Sequence, residues 1–534
     1  MEWQMTGKAL KDLPLGTSDF AALRMSDEIY VDKTNLVFAL ASKRRKYFLI
    51  RPRRFGKSLL VSTFESLFKH GLRDFHGLDI ERLWTDDKTY NVVRLDFSEV
   101  KPLFGLQKFT DDLRDRLVDN FSPFGFAYKP DNTTIFSQLS AWMKTQPVNS
   151  LVLLIDEYDA PLTSSLFDPE LFTSVRNVLS EFYSVLKSND QILRFVFITG
   201  ITKFNKTNIF SELNNLDDIS LSPRFGSLLG YTRGELQTYF SGYLDQASDA
   251  LCLSQEKLLE KLTTQYDGFC FERTAKSKVF APWSLLKFFS EPESGFLDYW
   301  FESGGKPSVL LSYLKSHALR NPEEYCREKT ISLASLEGSS DVEGLSDLGL
   351  LTQAGYLTIK TIKYTDTVYL DYPNQEVKRS MAQLYLEQLL RGRVAGQVGA
   401  GPIVRVLKEE SPESVFHILN RLFLAVDYHR YPVKDEASLR AYVQVYLAGA
   451  GLKPKIESHN AHGRSDLEVQ ASDRLWIFEF KVVRDEHAAD EELKEAIDQV
   501  RARHYGEQEN YLELKKIVLV FSIKERQFVR WAQA

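Results

Sequence analysis

Four short apolar runs stand out in the first 290 positions, and segments with helical spacing separate them. Each run is nearly continuous and lacks the alternation of apolar and polar residues that a half-exposed strand would show. Strands buried on both faces have this composition, which is typical of a parallel sheet covered by helices. The runs are YFLI (47–50), VVRLDF (92–97), LVLLI (151–155) and FVFIT (195–199). They predict an α/β domain.

The pattern changes after residue 290. Residues 345–360 predict a helix, a glycine turn and a strand, and residues 367–374 predict a second strand. Together they suit a small winged-helix-like module. Residues 391–430 have helical spacing, and from Glu436 onward a helix, a hairpin, a helix and a strand predict a second α/β unit. The predicted domains are therefore 1–290, 291–390 and 391–534.

Composition narrows the class of protein. The 534 residues include 67 Lys and Arg against 73 Asp and Glu, a net charge of −6, so no global basic field attracts nucleic acid. The three cysteines form no C-x-x-C pair, which argues against a disulfide framework or a thiolate zinc site. No run of 18 apolar residues and no apolar leader occurs. We expect a cytoplasmic protein without a membrane partner.

A phosphate-binding loop is predicted directly after the first apolar run. In YFLIRPRRFGKSLL (47–60), Gly56, Lys57 and Ser58 match the end of the pattern G-x-x-x-x-G-K-[ST]. In such loops, backbone N–H groups cradle phosphates, the lysine reaches phosphate oxygens and the hydroxyl holds Mg²⁺. The first position holds Arg51 where the pattern has glycine. A basic turn before a helix is the alternative interpretation.

The third apolar run ends in acidic residues and supports the nucleotide interpretation. In LVLLIDEYDAP (151–161), Asp156 is placed to bind Mg²⁺, and Glu157 is placed to orient or deprotonate the attacking water. Asp159 is either a supporting carboxylate or solvated. Thr199 ends the fourth run, where it would either sense the γ-phosphate or cap the strand. Arg53, Arg54 and Arg224 are candidates to stabilise transition-state charge, although a solvated arginine is the usual case for each.

These segments together resemble the bacterial AAA-ATPase-like family of P-loop proteins over roughly residues 13–390. The matching pieces are LPLGTSDFAALR (13–24), YVDKT (30–34), RPRRFGKSLL (51–60), LIDEYDAP (154–161), TGITK (199–203), YDGFCF (266–271) and APWSLL (281–286). The resemblance includes the Arg51-Pro52 variant of the loop, with Cys270 as a departure. It implies an AAA-like (ASCE) P-loop NTPase fold, ATP as cofactor, nucleotide contacts from Phe55 and Leu59, and Asp19 and Phe20 near the adenine.

A second candidate site lies near the end of the chain. Residues 458–482 predict a β-hairpin with its turn at 470–474, the first strand opening at Asp466. Glu479 and Lys481 are two residues apart, so they share one face of the second strand. Two carboxylates and a lysine that converge in this way suit a Mg²⁺ site with a cation that orients water. An amphipathic edge strand is the alternative.

This arrangement resembles the PD-(D/E)XK nuclease superfamily over about residues 400–534, which implies a restriction-endonuclease-like α/β domain. The resemblance implies that Asp466 and Glu479 bind Mg²⁺, or Mn²⁺, with the Phe480 carbonyl as a further ligand. It gives Lys481 the role of positioning or activating water. Glu436 is implied as a metal or structural carboxylate and Gln499 as a neighbour of the scissile phosphate. Further matches are Glu457 and Tyr505, whereas His459 and His462 are either metal ligands or exposed loop residues.

The two resemblances imply an ATPase coupled to a Mg²⁺-dependent nuclease. DNA is the expected substrate by analogy with the superfamily, ahead of RNA. Roles in defence against phage or mobile DNA, or in DNA repair, would fit, and a homo-oligomer is left open. The main alternative is an ATP-regulated binding or scaffold switch with an inactive nuclease fold. A helicase-like motor is disfavoured because paired RecA-like halves and a helicase motif set are absent from the sequence.

Overall fold

The fold is that of a computed structural model. It describes residues 10–130, 133–204, 215–301, 317, 321–337, 346–460, 463–502 and 513–534, with the side chains of 457–460 and 463–464 outside that description. The chain forms two compact units. The first comprises residues 1–313 and 328–376, and the second comprises residues 314–327 and 377–534.

A five-stranded parallel sheet forms the centre of the first unit, in the order β2-β3-β4-β1-β5. The predicted parallel sheet is confirmed, and β4 lies between the phosphate-loop strand β1 and the Asp-Glu strand β3. The three-residue strand β5 was not predicted, because it is too short and too exposed for an apolar run. The strands are β1 (Lys46–Ile50), β2 (Asn91–Asp96), β3 (Leu151–Asp156), β4 (Leu193–Gly200) and β5 (Leu216–Asp218).

Helices cover this sheet through apolar faces. On Lys57–His70, buried residues recur at helical spacing, and Phe64 packs against Phe195 and Phe197 of the sheet. Among the described residues up to 301, the α-helices are α1 (Phe20–Met25), α2 (Thr34–Ala41), α3 (Lys57–His70), α4 (Leu106–Phe121), α5 (Ile135–Met143), α6 (Ala160–Ser164), α7 (Pro169–Ser188), α8 (Arg233–Tyr239), α9 (Ser241–Leu251), α10 (Gln255–Tyr266) and α11 (Pro282–Ser290).

A small antiparallel sheet of order β6-β8-β7 belongs to the first unit. Its strands are Lys329–Ser332, Thr358–Lys363 and Thr367–Asp371 for β6, β7 and β8, with helices α12 (Leu333–Glu337) and α13 (Asp347–Gln353). The helix, turn and strand expected over 345–360 are present, and β6 was not anticipated. The Thr358 hydroxyl accepts the Cys270 N–H at 2.8 Å, which ties this module to the nucleotide unit. The domain division at 290 and 390 stays a prediction.

The second unit contains a five-stranded mixed sheet of order β13-β12-β11-β10-β9, in which only β11 and β12 pair in parallel. The predicted hairpin is β10 and β11, but β10 begins at Gly463, so Asp466 is its fourth residue and not its first. The strands are β9 (Lys455–Asn460), β10 (Gly463–Ala471), β11 (Arg474–Val483), β12 (Glu513–Ser522) and β13 (Gln527–Gln533).

Further α-helices lie in the described residues from 375 onward. Helix α14 (Gln375–Leu389) crosses the boundary between the units, and the others belong to the second unit. They are α15 (Ile403–Glu409), α16 (Pro412–Ala425), α17 (Glu436–Gly449) and α18 (Ala489–Ala502). In the part of the chain that the structure describes, no helix is long and apolar enough to cross a membrane.

Glu376, in the first turn of α14, is a buried carboxyl. It accepts hydrogen bonds from the Tyr299 N–H at 2.6 Å and the Ser284 hydroxyl at 3.0 Å. Burial raises the pKa of Glu376 to about 8, against the lowering by its hydrogen-bond donors, and the charge of Asp298 adds to the rise. A carboxyl whose folded pKa lies above the ordinary 4.5 binds its proton more tightly in the folded state.

The free energy of unfolding is therefore expected to fall as the pH rises, because Glu376 loses its proton less readily in the folded state than in the unfolded state. Its stabilising contribution is complete below pH 4.5 and is lost as the pH rises through about 8. Within that window the slope is about 1.4 kcal/mol per pH unit. In urea unfolding between pH 5 and pH 9, wild type should lose stability relative to Glu376→Gln. Parallel pH profiles for the two proteins would show that Glu376 does not titrate in this range.

Candidate functional site

The phosphate loop joins β1 to α3. Gly56 is the N-cap of α3 and has φ +91°, a left-handed conformation that glycine adopts without strain. Lys57 is buried, and its Nζ donates to the carbonyls of Arg51 at 3.0 Å and Pro52 at 2.9 Å. Burial lowers the pKa of Lys57, while Asp156 and Glu157 oppose the shift. The backbone of the phosphate loop therefore holds the ammonium group of Lys57, close to Asp156 and Glu157.

Arg51 explains why the loop lacks its first glycine. Its side chain is buried, with Nη1 donating to the Ile50 and Ser220 carbonyls, both at 2.8 Å. Nη2 donates to the Phe225 carbonyl at 3.2 Å, and the guanidinium lies 4.5 Å from the ring centre of Phe271. Burial lowers the pKa of Arg51 to about 9. Arg51 therefore links the loop to the segment after β5.

The carboxyl ends of β3 and β2 bring two aspartates together. Asp156 pairs in register with Asp96, a neighbour that sequence spacing did not indicate. Burial raises the pKa of Asp156, while a hydrogen bond from Ser58 and the charge of Lys57 lower it. Ser58 and Asp156, which were predicted as Mg²⁺ ligands from segments a hundred residues apart, are neighbours in the structure.

The residues after Asp156 have unusual environments. Glu157 has φ +50°, a conformation that costs a non-glycine residue about 1–3 kcal/mol and recurs at functional sites. Burial raises the pKa of Glu157, and Lys57 opposes the rise. Asp159 is buried rather than solvated, and its Oδ2 accepts the Thr202 N–H at 2.7 Å. Asp159 therefore supports the end of β4.

Thr199 provides a test of whether these residues fit a nucleotide. It pairs with Leu49 of β1, so it lies on the strand between the phosphate loop and Asp156. Among the residues that the structure describes, its buried Oγ1 has no hydrogen-bond partner. An unmet buried hydroxyl costs free energy that an added oxygen would recover. The lysine, the two carboxyl groups and this hydroxyl fit a nucleoside triphosphate with Mg²⁺.

An apolar cleft of about 580 Å³, including its open mouth, adjoins the loop at Gly56. Of its apolar lining, the family resemblance had indicated Phe55 and Leu59. The apolar stretch 29–31 was a sequence signal for one side of the cleft. It lies far along the chain from Leu229 and Tyr231, which also line the cleft. The lining includes Ile29, Val31, Leu59, Leu229 and Tyr231.

Asp19 and Phe20, expected near the adenine, both have structural partners. Asp19 caps α1 by accepting the Ala22 N–H at 2.7 Å. Phe20 is buried against the rings of Tyr30 and Phe75. Their contact with adenine stays a prediction.

The remaining residues predicted around the loop differ in environment. Phe55 is buried against the rings of Phe269 and Phe271. Arg54 lies 3.7 Å from the ring centre of Trp283, whereas Arg53 and Arg224 are exposed. The assignment of an arginine to transition-state charge therefore stays a prediction.

The phosphate loop also packs against the small antiparallel module. Gly355 has φ +84°, and a Cβ built on it would lie 2.8 Å from the Pro52 ring and 2.9 Å from Trp300. On the other side of the loop, Lys203 after β4 donates its N–H to Gln353 Oε1 at 2.9 Å. Two separate contacts thus connect nucleotide-site segments to α13 and the turn that follows it.

Gly355→Val should weaken ATP binding about tenfold, because overpacking of about 1–3 kcal/mol displaces Pro52 and hence the loop. Gly125→Val is the matched control, since Gly125 also has positive φ but nothing within 4 Å of a built Cβ. Titration with a fluorescent ATP analogue measures the difference. Equal losses in both variants would mean that backbone strain alone, and not the contact with Pro52, is responsible.

In the second unit, the sheet opens at the predicted catalytic residues. Pairing of β10 with β11 runs from Ala471 only as far as Leu467, which faces Phe478, while β10 continues to pair with β9 up to Gly463. Asp466 directly precedes Leu467 in the chain, so in this antiparallel pair it lies beside Glu479, the residue after Phe478. Its Oδ2 accepts the Phe480 N–H at 2.9 Å, which satisfies a donor freed by the opening.

Glu479, Lys481 and Gln499 form one hydrogen-bonded group. Gln499 of α18 donates from Nε2 to Glu479 Oε1 at 2.6 Å. Lys481 Nζ donates to Gln499 Oε1 at 3.4 Å. Glu479 is only 4% exposed, and a carboxylate buried this deeply requires compensating partners. The structure brings these three predicted residues together on one face of β11.

Helix α17 contributes two further charged residues. Glu436, in its first turn, accepts the Val482 N–H at 3.1 Å, which places its carboxylate on the backbone of β11. Arg440, one turn later, lies 3.5 Å from Asp466 Oδ1. Burial raises the pKa of Asp466, while the Phe480 N–H and Arg440 lower it. Arg440 was not predicted, because helical spacing alone does not indicate a partner on another element.

The donor set suits a hard divalent ion. No group of three or more His, Cys, Asp or Glu side chains converges as a metal site within the described ranges. Asp466 and Glu479 supply two carboxylates, and Mg²⁺ typically binds one or two carboxylates with waters and phosphate oxygens. These residues therefore fit Mg²⁺. Tyr505 and His462 lie outside the described residues, as do the side chains of Glu457 and His459.

Comparisons with known proteins match both halves of the chain. A family model described as a predicted AAA-ATPase matches residues 14–210, and the PD-(D/E)XK nuclease superfamily model matches residues 434–531. A relative described as an uncharacterized protein in the vnfD 5′ region of Azotobacter chroococcum mcd 1 is 30% identical over 486 residues. The match covers 89% of this chain and 90% of the relative.

Two solved structures are similar at low TM-scores. Cdc6p from Pyrobaculum aerophilum has a TM-score of 0.25 and 12% identity, covering 67% of this chain and 97% of that one. The Aeropyrum pernix ORC2 protein, solved as ADPNP and ADP complexes, has a TM-score of 0.27 and 13% identity, covering 71% and 96%.

Proposed function

The chain belongs to the AAA-ATPase-like family that carries a C-terminal PD-(D/E)XK nuclease-superfamily domain, and from this premise we propose an ATP-hydrolysing protein whose nucleotide state controls a Mg²⁺-dependent nuclease acting on DNA. The observation that carries the nuclease assignment is the opening of β10 from β11 beside Asp466 and Glu479.

The nucleotide half would work through residues at the carboxyl edge of the parallel sheet. Lys57 would leave the carbonyls of Arg51 and Pro52 to bind phosphate oxygens. Mg²⁺ held by Ser58 and Asp156 would neutralise phosphate charge. Glu157 would orient the attacking water, its raised pKa suiting a proton acceptor. The Thr199 hydroxyl would donate to the terminal phosphate, and the apolar cleft would take the base.

In the nuclease half, Asp466 and Glu479 would hold the divalent ion, with the Phe480 carbonyl as a further ligand. The bound ion would polarise the phosphodiester and supply a nucleophilic water. Lys481 would orient that water from the same strand face as Glu479. Gln499 would hold the side chains of Glu479 and Lys481 in position, since it forms a hydrogen bond with each. Glu436 would brace the backbone of β11.

Control by ATP would pass through the small antiparallel module. Its Gly355 and Gln353 lie against Pro52 and Lys203, so a change at the phosphate loop or at the end of β4 reaches the module directly. We propose that the protein acts in the cytoplasm in defence against phage or mobile DNA, or in DNA repair. Assembly into a homo-oligomer, in which a neighbour supplies an arginine, is compatible with this proposal.

Metal dependence tests the nuclease proposal. Wild type should cut plasmid DNA with Mg²⁺ or Mn²⁺ and leave it intact in EDTA, because water activation requires the ion. ATP hydrolysis by the same preparation should also require Mg²⁺. Cutting that continues unchanged in EDTA would contradict the proposal.

A second function is favoured by one observation. Both oxygens of Asp466 already have donors, Phe480 N–H and Arg440, as would suit a nuclease fold that only binds nucleic acid. An ATP-regulated binding switch would bind DNA without cutting it and would bind no Mn²⁺ at Asp466.

A further inference from the structure

Arg440 lies beside the carboxylate of Asp466 in the second unit. Its guanidinium lies 3.5 Å from Asp466 Oδ1, and the two side chains are only 16% and 23% exposed. The other oxygen of Asp466 accepts the Phe480 N–H. The one carboxylate oxygen not held by the backbone is therefore the oxygen that faces Arg440.

The other charged groups of the site have different partners. Glu436 accepts the Val482 N–H, and Glu479 and Lys481 both bond to Gln499. A buried carboxylate requires a nearby positive charge, and at Asp466 the larger such effect comes from Arg440, ahead of Lys481. A divalent ion at Asp466 would supply the same charge more strongly and would repel the guanidinium.

We propose that Arg440 neutralises Asp466 in the metal-free site and transfers to a non-bridging oxygen of the scissile phosphate when a divalent ion binds. This rests on the proposed nuclease function. A guanidinium suits both partners, since its planar fork binds carboxylates and phosphates through paired N–H groups. Arg440 thus competes with the metal before substrate binds and contacts the substrate afterwards.

Two opposite effects follow from removing this charge. The dissociation constant for Mn²⁺ should be about tenfold lower in Arg440→Gln, because the competing cation is gone. The same variant should bind DNA more weakly and lose about 0.9 from the slope of log affinity against log salt, as expected for one phosphate contact. A purely structural ion pair would not strengthen metal binding.

The first experiment is calorimetric titration of the full chain with MnCl₂, without nucleic acid. The proteins are wild type, Arg440→Gln, Arg440→Lys and Asp466→Asn. The charge control is Arg405→Gln, since Arg405 pairs with Glu410 on the surface of the same unit. The expected result is tighter binding by Arg440→Gln, near wild-type binding by Arg440→Lys and Arg405→Gln, and loss in Asp466→Asn.

Each other result overturns the proposal. Unchanged or weaker Mn²⁺ binding by Arg440→Gln, with loss in Asp466→Asn, would leave the metal site standing and refute the exchange. Wild-type binding by Asp466→Asn would refute the metal site itself and therefore both proposals. The second experiment is DNA binding in Ca²⁺, where fluorescence anisotropy should show the reduced salt slope in Arg440→Gln but not in Arg405→Gln. An unreduced slope would refute the phosphate contact.

Discussion

Lys57→Ala should weaken ATP binding about 100-fold and abolish ATP hydrolysis. The lysine is buried at the start of α3, beside Asp156 and Glu157, and its charge has no substitute in the Ala variant. Each hydrogen bond to a charged group contributes about 1.5–3 kcal/mol, so the loss of two phosphate contacts, about 3–6 kcal/mol, makes 100-fold a lower estimate. The second unit should keep its fold, because the substitution lies in the other compact unit.

Lys69→Ala is the matched control for this experiment. Lys69 lies on the same helix, but it is partly exposed and pairs with Glu65. It should bind and hydrolyse ATP as wild type does. Equilibrium titration with a fluorescent ATP analogue and a phosphate-release assay measure the two quantities. ATP affinity in Lys57→Ala equal to that of wild type would remove the phosphate-loop assignment.

Glu479→Gln should reduce DNA cleavage about 100-fold or more while leaving ATP hydrolysis unchanged. The amide keeps the size of the side chain and can still accept the hydrogen bond from Gln499, but it lacks the charge that holds a divalent ion. Metal-assisted charge stabilisation contributes several kcal/mol, and each 1.36 kcal/mol is tenfold in rate, so two decades is a lower estimate.

Glu468→Gln provides the control for the loss of charge. Glu468 lies on β10 two residues from Asp466 and accepts the Ser465 hydroxyl at 2.7 Å. It should cut at the wild-type rate. Lys481→Met should lose about 10²- to 10⁴-fold, the usual contribution of a residue that assists proton transfer. Wild-type cleavage by Glu479→Gln would rule out this site for the chemistry.

The fold was predictable wherever burial leaves a pattern in a single segment. The four apolar runs predicted strands β1 to β4, and the hairpin β10 and β11 followed from its turn at 470–474. Strands β5, β6, β9 and β13 were not foreseen, since each lies at the edge of its sheet and leaves no buried apolar run, and β5 and β6 have four residues or fewer. Strand order likewise depends on packing and not on local pattern.

The candidate sites divide in the same way. Lys57, Asp156 and Glu479 were predicted because each lies in a short motif that follows, ends or forms part of a strand. Arg51 could be identified only as a departure from the motif, since its partner Ser220 is 169 positions away. Arg440 was likewise not predictable from a local motif, because its proposed role follows from a contact between α17 and β10. The apolar cleft beside Gly56 combines segments separated by about 200 residues.

The central claim is that nucleotide state controls cutting. The most direct test is cleavage of labelled linear, supercoiled, single-stranded and branched DNA, and of RNA, in Mg²⁺ with and without ATP. Wild type, Lys57→Ala and Glu479→Gln are compared at equal concentration. We expect ATP to change the rate of DNA cleavage by wild type, to have no effect on Lys57→Ala, and Glu479→Gln to be inactive throughout. Cleavage by wild type and Lys57→Ala at one rate, with or without ATP, would contradict the account.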